Sequence, residues 1–341
     1  MPAPGVDFRQ LLSAAVSRRQ PLIASGTAQA FRAFSGLADG VDGIYVDVYD
    51  AGATLIVYEG RPPRSFDPAR EADVVLDVLR PLGVRAVYLK PFARDRSRLG
   101  GELPAVATDP TPTVGDPLPE SFLVREHAWQ LEIHLYDGLS TGVFLDQRDN
   151  RRFVHDFAQR FKAPRPAEVL NTFAYTCAFS VAAAVGGANT TSVDVSPRYL
   201  DWGKRNLAHN NIDPSPELGR HRFARMDTFE FFAYARRKGL RYDLILLDPP
   251  SFGSGNKRKG IRPWSAESDY ARLVREAAEL LHRGGVIFAS TNTQALCRGN
   301  ELERQILKAI GRPPQWVELP PPPIDFAREA DRFAARAFRV E

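Results

Sequence analysis

From Glu168 to the end of the chain, short apolar segments alternate with amphipathic stretches of helical length, and few folds accept that rhythm. "EVLNTF" reads as a strand and "CAFSVAAAVGG" as a helix closed by Gly186 and Gly187. "TTSVDV" is a second strand. Ser196 can cap the next helix and Pro197 suits its first position, giving "SPRYLDWGKRNLAHNN". "HRFAR", "YDLILLD", "VIFAS", "WVELP" and "RFAARAFRV" read as further strands. Between them "DTFEFFAYARRKG", "SDYARLVREAAELLHRGG" and "NELERQILKAIG" read as helices, the second ending in its glycines. Strands separated by single helices imply βαβ units and a mostly parallel sheet covered on both faces. Ligands of such sheets bind at the carboxyl ends of the strands, so functional residues are sought there.

The first third of the chain has a different grammar. "GIYVDVYDAGATLIVYEG" alternates apolar and polar residues around Asp50-Ala51-Gly52, the pattern of a β-hairpin. "EADVVLDVLRPLGVRAVYLK" reads as a helix followed by a strand, and "AWQLEIHLYDG" as another hairpin strand. A proline-rich stretch at residues 109–119 reads as a linker. The expected division is a small α+β domain over residues 1–118 and an α/β domain over 119–341.

Composition bounds the function. No apolar run is long enough to span a membrane, and the N-terminus lacks the features of a secretory signal. Cys177 and Cys297 are the two cysteines, which excludes a disulfide framework and suits a reducing cytoplasm. None of the six histidines has a metal spacing; His134 and His155 read as ordinary residues, so no metal is expected. The formal charge of +4 is compatible with nucleic acid and equally with an arginine-rich soluble surface.

Three of the expected strands end at acids: Asp194, Asp227 and Asp248. Acids are common helix caps, and that plainer reading covers one or two of them. Asp194 follows Asn171 by 23 residues, close to the interval of about 20 at which an acid meets a nucleotide ribose. Asp227 suits an adenine amino group as well as it suits a cap. The first turn, "NTFAYTCAFS", contains no glycine. Dinucleotide sites need glycines there so that a pyrophosphate can approach the helix. The turn therefore disfavours NAD and FAD and admits a cofactor without phosphates, such as S-adenosylmethionine.

Four segments carry a specific resemblance: "EIHLYDGLSTGVFLDQRDNRRFV", "VLNTFAYTCAFSVAAAVGGA", "SVDVSPRYLDWGKRNLAHNNI" and "DLILLDPPSF". Residues 121–341 resemble class I methyltransferases that act on large-subunit ribosomal RNA, and "GLADGVDGIYVDVYDAGATLIV" resembles the small module before their catalytic domain. The resemblance implies a Rossmann-like α/β fold with a mostly parallel seven-stranded sheet, preceded by a small α+β domain. It implies S-adenosyl-L-methionine as cofactor and ribosomal RNA as partner. Many relatives begin with an extra RNA-binding domain, which this chain is expected to lack. By the same likeness Asn171, Phe173, Tyr175 and Thr176 wall the methionine end of the cofactor, Asp194 and Ser196 hold the ribose side, and Asp227 holds the adenine. Phe144, Asp146 and Arg148 lie under or beside it. Without the likeness, Asp146 reads as a helix cap and Arg148 as exposed.

"YDLILLDPPSFG" adds a chemical argument. Methyl transfer from a sulfonium needs alignment more than covalent help. Two prolines fix φ and restrict the residue before them, so the carbonyl of Asp248 or Pro249 stands at a set point. A base nitrogen donating to it would be oriented, and Phe252 offers a face for stacking. Asp248 could also face the cofactor's amino group. The expected catalytic residues are thus Asp248, Pro249 and Phe252. Lys257, Arg258, Lys259 and Arg262 form a basic run suited to phosphates, or simply a solvated loop. Cytosine-5 relatives attack through a cysteine after the fifth strand. Asn292 stands there instead, and Cys297 is five residues farther on, so methylation of a base nitrogen, guanine rather than cytosine, is expected. The alternatives are a non-catalytic RNA-binding assembly factor and a small-molecule methyltransferase.

Overall fold

The computed structural model describes residues 7–93, 103–253, 255, 263–329 and 332–340. The chain divides into two compact units: residues 1–145 with 323–329, and residues 146–322 with 330–341. The first unit therefore runs past the proline-rich stretch, and a short segment near the C-terminus returns to it.

The first unit contains α1 (Phe8–Ser25), β1 (Ala30–Ser35), the short α2 (Gly36–Asp39), β2 (Ile44–Tyr49), β3 (Gly52–Tyr58), α3 (Pro68–Leu79), β4 (Ala86–Phe92), β5 (Val114–Gly115), β6 (Phe122–Glu126) and β7 (Trp129–Ile133). Strands β1 to β5 form one sheet in sequence order, and β6 with β7 forms a separate hairpin. The expected β2–β3 hairpin turns at Asp50, which adopts φ 50°. Helix α1, not assigned from sequence, is capped by Asp7 and ended by Gly26 in the left-handed conformation. It buries Phe8, Leu12, Ala15 and Leu22. Arg19 on the same face is buried, and both its terminal nitrogens donate to Asp39. The returning segment is fastened by the carboxylate of buried Asp325, which accepts from Arg32 N at 2.9 Å.

The second unit contains α4 (Arg148–Gln159), β8 (Glu168–Thr172), α5 (Ala178–Val185), β9 (Asn189–Asp194), α6 (Pro197–Ala208), β10 (His221–Arg225), α7 (Thr228–Arg237) and β11 (Tyr242–Leu247). After these come β12 (Phe252–Gly253), β13 (Trp264–Ser265), α8 (Ala266–Ala278), β14 (Leu281–Thr291), the short α9 (Gln294–Cys297), α10 (Glu301–Ile310), β15 (Gln315–Val317) and β16 (Ala334–Arg339). The sheet has seven strands in the order β10-β9-β8-β11-β14-β16-β15. β16 runs antiparallel to both neighbours, and the pairings from β10 to β14 are parallel. Chain order reverses between β8 and β11, which opens a crevice at the carboxyl ends of those strands.

All six residues of β11 are buried, as a central parallel strand requires. The exception in chemistry is Asp243. Its carboxylate accepts from both terminal nitrogens of Arg165, at 2.6 and 3.0 Å, and from Glu168 N at 2.8 Å. One element departs from the sequence reading. The helix before the fifth parallel strand stops at Ala278, and "LHRGG" joins an eleven-residue strand instead. Leu281 pairs with Tyr242 ahead of a register shift, so sheet pairing overrides the helical pattern.

Candidate functional site

The crevice is built on the turn from β8 to α5. Phe173, Tyr175 and Cys177 adopt φ of 53°, 49° and 62°, all left-handed. Side-chain-bearing L-residues resist that region, so three in alternation store strain of order 1 kcal/mol or more each. Hydrogen bonds hold the turn in place: Ala174 N donates to Val193 O at 2.9 Å and Cys177 N to Ala174 O at 2.7 Å. Tyr175 N donates to Asp194 Oδ2 at 2.9 Å, and buried Asn206 on α6 donates through Nδ2 to Thr176 O at 2.9 Å. The Cys177 sulfur lies where Gly203 has no side chain; a Cβ there would come within 2.3 Å of it. Burial pushes that thiol up to about 12, so Cys177 is a packing residue and no nucleophile.

Asp194, at the end of β9, also accepts from Ser196 N at 2.8 Å. Burial raises its pKa although backbone N–H groups of Ser196, Tyr175 and Val195 favour the ionised form. Ser196 caps α6, accepting from Tyr199 N at 3.4 Å. Asp227 caps α7, with Oδ1 accepting from Phe229 N at 2.8 Å and Glu230 N at 3.3 Å. The sheet order sets Asp227, Asp194, Asn171 and Asp248 along one rim, on or just beyond the ends of β10, β9, β8 and β11. Asn171 and Thr176 are buried, and Asn171 Nδ2 donates to Ser180 Oγ at 2.9 Å.

Asp248 anchors the other side of the crevice. Its Oδ1 accepts from Ser290 Oγ at 2.7 Å. Gln147 Nε2 donates to Ser290 Oγ at 3.1 Å, and Asn150 Nδ2 donates to Gln147 Oε1 at 2.8 Å. Burial pushes the Asp248 carboxyl up to about 6; Ser290, Gln147 and the Arg151 charge pull it down, and the neighbouring Asp146 carboxylate pushes it further up. Tyr270 closes the floor, donating to Ser290 O at 2.8 Å. Ser290, Gln147, Asn150 and Tyr270 were not singled out from sequence. The Gln147–Asn150 spacing of three on one helical face was the available signal. Helix α4 begins at Arg148 without a side-chain cap, and Arg148 is 2% exposed, so the reading of Asp146 as a cap and Arg148 as exposed fails. Phe144 belongs to the first unit and is exposed.

The segment after Asp248 is tied down at several points. Ser251 Oγ donates to Asn292 Oδ1 at 3.1 Å and accepts from Thr293 Oγ1 at 2.9 Å. Ala266 N donates to Ser251 O at 3.0 Å, and β12 pairs with β13. Trp264 Nε1 donates to Pro250 O at 2.8 Å, so that carbonyl already has a donor. Phe252 is left 73% exposed at the edge of the crevice. Asn292 is exposed beside it. Lys257, Arg258, Lys259 and Arg262 lie outside the described residues.

A model of S-adenosylmethionine-dependent methyltransferases matches residues 108–326. The chain belongs to that family. YwbD of Bacillus subtilis, provisionally named a ribosomal RNA large subunit methyltransferase, is 37% identical over 291 residues, covering 84% of this chain and 67% of YwbD. The ribosomal RNA large subunit methyltransferase K/L of Hahella chejuensis is 35% identical over 256 residues, 73% of this chain and 32% of that protein. The chain thus spans about a third of the K/L relative. A crystal structure provisionally named a methyltransferase, in complex with SAH, superposes with TM-score 0.79 at 30% identity, covering 98% of this chain and 81% of that one. The α/β fold and the use of S-adenosylmethionine expected from sequence therefore stand. As a member of this family, the protein presents a crevice whose donor set fits the cofactor. Its glycine-free turn leaves no close approach for a pyrophosphate, and carboxylates border both sides. Among the described residues no helix is long and apolar enough to cross a membrane, and no cluster of three His, Cys, Asp or Glu is arranged to hold a metal.

Proposed function

We propose that this methyltransferase acts on large-subunit ribosomal RNA and methylates a base nitrogen, guanine being the better candidate. The relatives' names support the RNA class. The observation that carries the base is the rigidly fastened Asp248–Phe252 segment with an exposed aromatic face beside Asn292. S-adenosylmethionine supplies an activated methyl group on a sulfonium. The chain's own residues do the positioning. Asp194 receives the ribose hydroxyls with a carboxylate already oriented by two backbone N–H groups. Ser196 lies beside it, Asp227 accepts from the adenine amino group, and the Asn171–Thr176 turn with Phe173 and Tyr175 walls the methionine end. Asp146 and Arg148 flank the cofactor, and Asp248 faces its ammonium. With the carbonyl of Pro250 engaged by Trp264, the carbonyls of Asp248 and Pro249 take the base N–H, while the base stacks on Phe252. A ring nitrogen or amine brings its own lone pair, so no covalent nucleophile is needed. Asn292 accordingly occupies the place of the cytosine-5 cysteine, and Lys257, Arg258, Lys259 and Arg262 supply phosphate contacts.

Labelled cofactor and unmodified large-subunit ribosomal RNA, followed by nucleoside mass analysis, test the proposal. An N-methylated guanine is expected; 5-methylcytosine would refute the role given to Asn292.

A further inference from the structure

A second concavity lies within the second unit, at the opposite end of its sheet. It is a cleft of about 900 Å³ bordered by the amino ends of β11 and of the paired part of β14, the carboxyl end of β16, and the later turns of α4. Its 18 lining residues carry six Arg and Lys against three carboxylates, an excess of three positive charges. The whole chain has an excess of only four. Two of the three acids are already neutralised: Asp156 pairs with Arg160 at 3.4 Å and Asp243 with Arg165 at 2.6 Å. That leaves Arg152, Lys162, Arg283 and Arg339 facing Glu318 alone. Arg152, Lys162 and Arg283 are exposed, so their charges are available at no desolvation cost. Phe153, Phe157 and Phe161 line the same cleft, and Arg165 lies 5.5 Å from the centre of the Phe161 ring.

A groove of unneutralised cations interleaved with aromatic faces is the combination that holds single-stranded nucleic acid: phosphates meet the cations and bases meet the rings. All three rings are half-buried and packed against the core beneath, and the apolar surface they leave exposed offers bases a contact that an acidic protein segment, using the charges alone, would not need. We propose that this cleft binds the phosphate backbone of unpaired RNA, as a second contact remote from the crevice where methyl transfer occurs. The identity of the polymer rests on the RNA reading above. β11 separates the two ends by six residues, roughly 20 Å at about 3.3 Å each. An RNA engaging both must therefore extend beyond the target nucleotide, and the cleft adds affinity without touching the reacting atoms.

The test uses the full chain and fluorescence anisotropy with a fragment of unmodified large-subunit ribosomal RNA across a salt series. Arg152→Glu/Arg283→Glu is compared with Arg70→Glu/Arg275→Glu, an equal charge change at exposed positions outside the cleft. The cleft variant is expected to bind RNA at least tenfold more weakly than the control variant. Its plot of log affinity against log salt should be shallower by about 1.4, at about 0.7 per lost single-strand phosphate contact. SAH affinity reports folding; if the double variant loses it, Arg152→Ala and Arg283→Ala singly provide the same comparison. Equal affinity and slope in cleft and control variants would overturn the proposal. So would cleft-dependent binding of polyglutamate without cleft-dependent binding of RNA, which would point to an acidic protein partner. Absence of any methylated nucleoside would sink the substrate reading, while the binding comparison would still decide the cleft.

Discussion

At the carboxyl ends of β9, β10 and β11 stand Asp194, Asp227 and Asp248; around the amino ends of β8, β11 and β14 stand Arg165, Arg152 and Arg283. The acids are half-buried and committed. Asp194 and Asp227 each accept backbone N–H groups, and Asp248 accepts from Ser290. Most of the cations are exposed and loosely held. The contrast separates two kinds of recognition. A small cationic cofactor needs acceptors fixed to fractions of an ångström, which backbone hydrogen bonds provide. A long polyanion needs charge density, which flexible arginines provide without fixed geometry.

Substitutions at the acidic end should therefore be severe and local. Asp194→Ala removes an acceptor from two backbone N–H groups in a strained turn as well as the proposed ribose ligand. SAH binding measured by calorimetry should fall by more than about 100-fold, and stability by on the order of 2–6 kcal/mol at about 1–3 per orphaned group. Near-normal SAH binding would remove Asp194 from the cofactor site and break the contrast. Asp248→Asn should lower methyl transfer about 100-fold, the scale of a lost electrostatic contact in a water-poor site. The same residue gives a pH signature. Its folded pKa is raised to about 6, so the native state holds that proton more tightly than the unfolded chain. This contribution to stability is full below pH ~4 and is lost as pH rises through the folded value. Asp248→Asn should therefore melt a few degrees above wild type at pH 8 and lose that advantage at pH 4; a constant difference in scanning calorimetry would deny the raised pKa.

Phe252→Ala should reduce kcat/KM for RNA by about 5- to 100-fold, the value of one stacked base, with SAH affinity unchanged. A change confined to SAH affinity would place the ring beside the cofactor instead. The smallest effect is expected from Ser251→Ala, which removes the bonds to Asn292 and Thr293. A loss of about 0.5–1.5 kcal/mol per bond would lower the melting temperature by a few degrees, with a larger rise in KM for RNA than for cofactor.

Much of this was legible in the chain itself. The alternation after Glu168 specified the parallel sheet, because buried strands of β-branched and Leu residues leave helices as the only covers. The acids after three strands located the rim. The left-handed turn was not legible: without glycines at 173, 175 or 177, nothing local announces positive φ, and long-range bonds from Asp194 and Asn206 impose it. The Asn150–Gln147–Ser290–Asp248 chain was likewise hidden, since it joins residues more than 140 positions apart. Helix α1 escaped because Pro21 and a weakly apolar face obscure its period. The basic cleft is assembled from α4, the β14 start and β16, so no basic run in the sequence marks it.

Trp264 has a consequence of its own. Its ring lies 6.0 Å from Phe173 and 5.9 Å from Phe229, while its N–H grips the Pro250 carbonyl. One indole thus lies against both the turn from β8 to α5 and the segment proposed to receive the base. Its ultraviolet emission should shift when either side is filled, giving the protein an internal optical gauge of occupancy with no label attached.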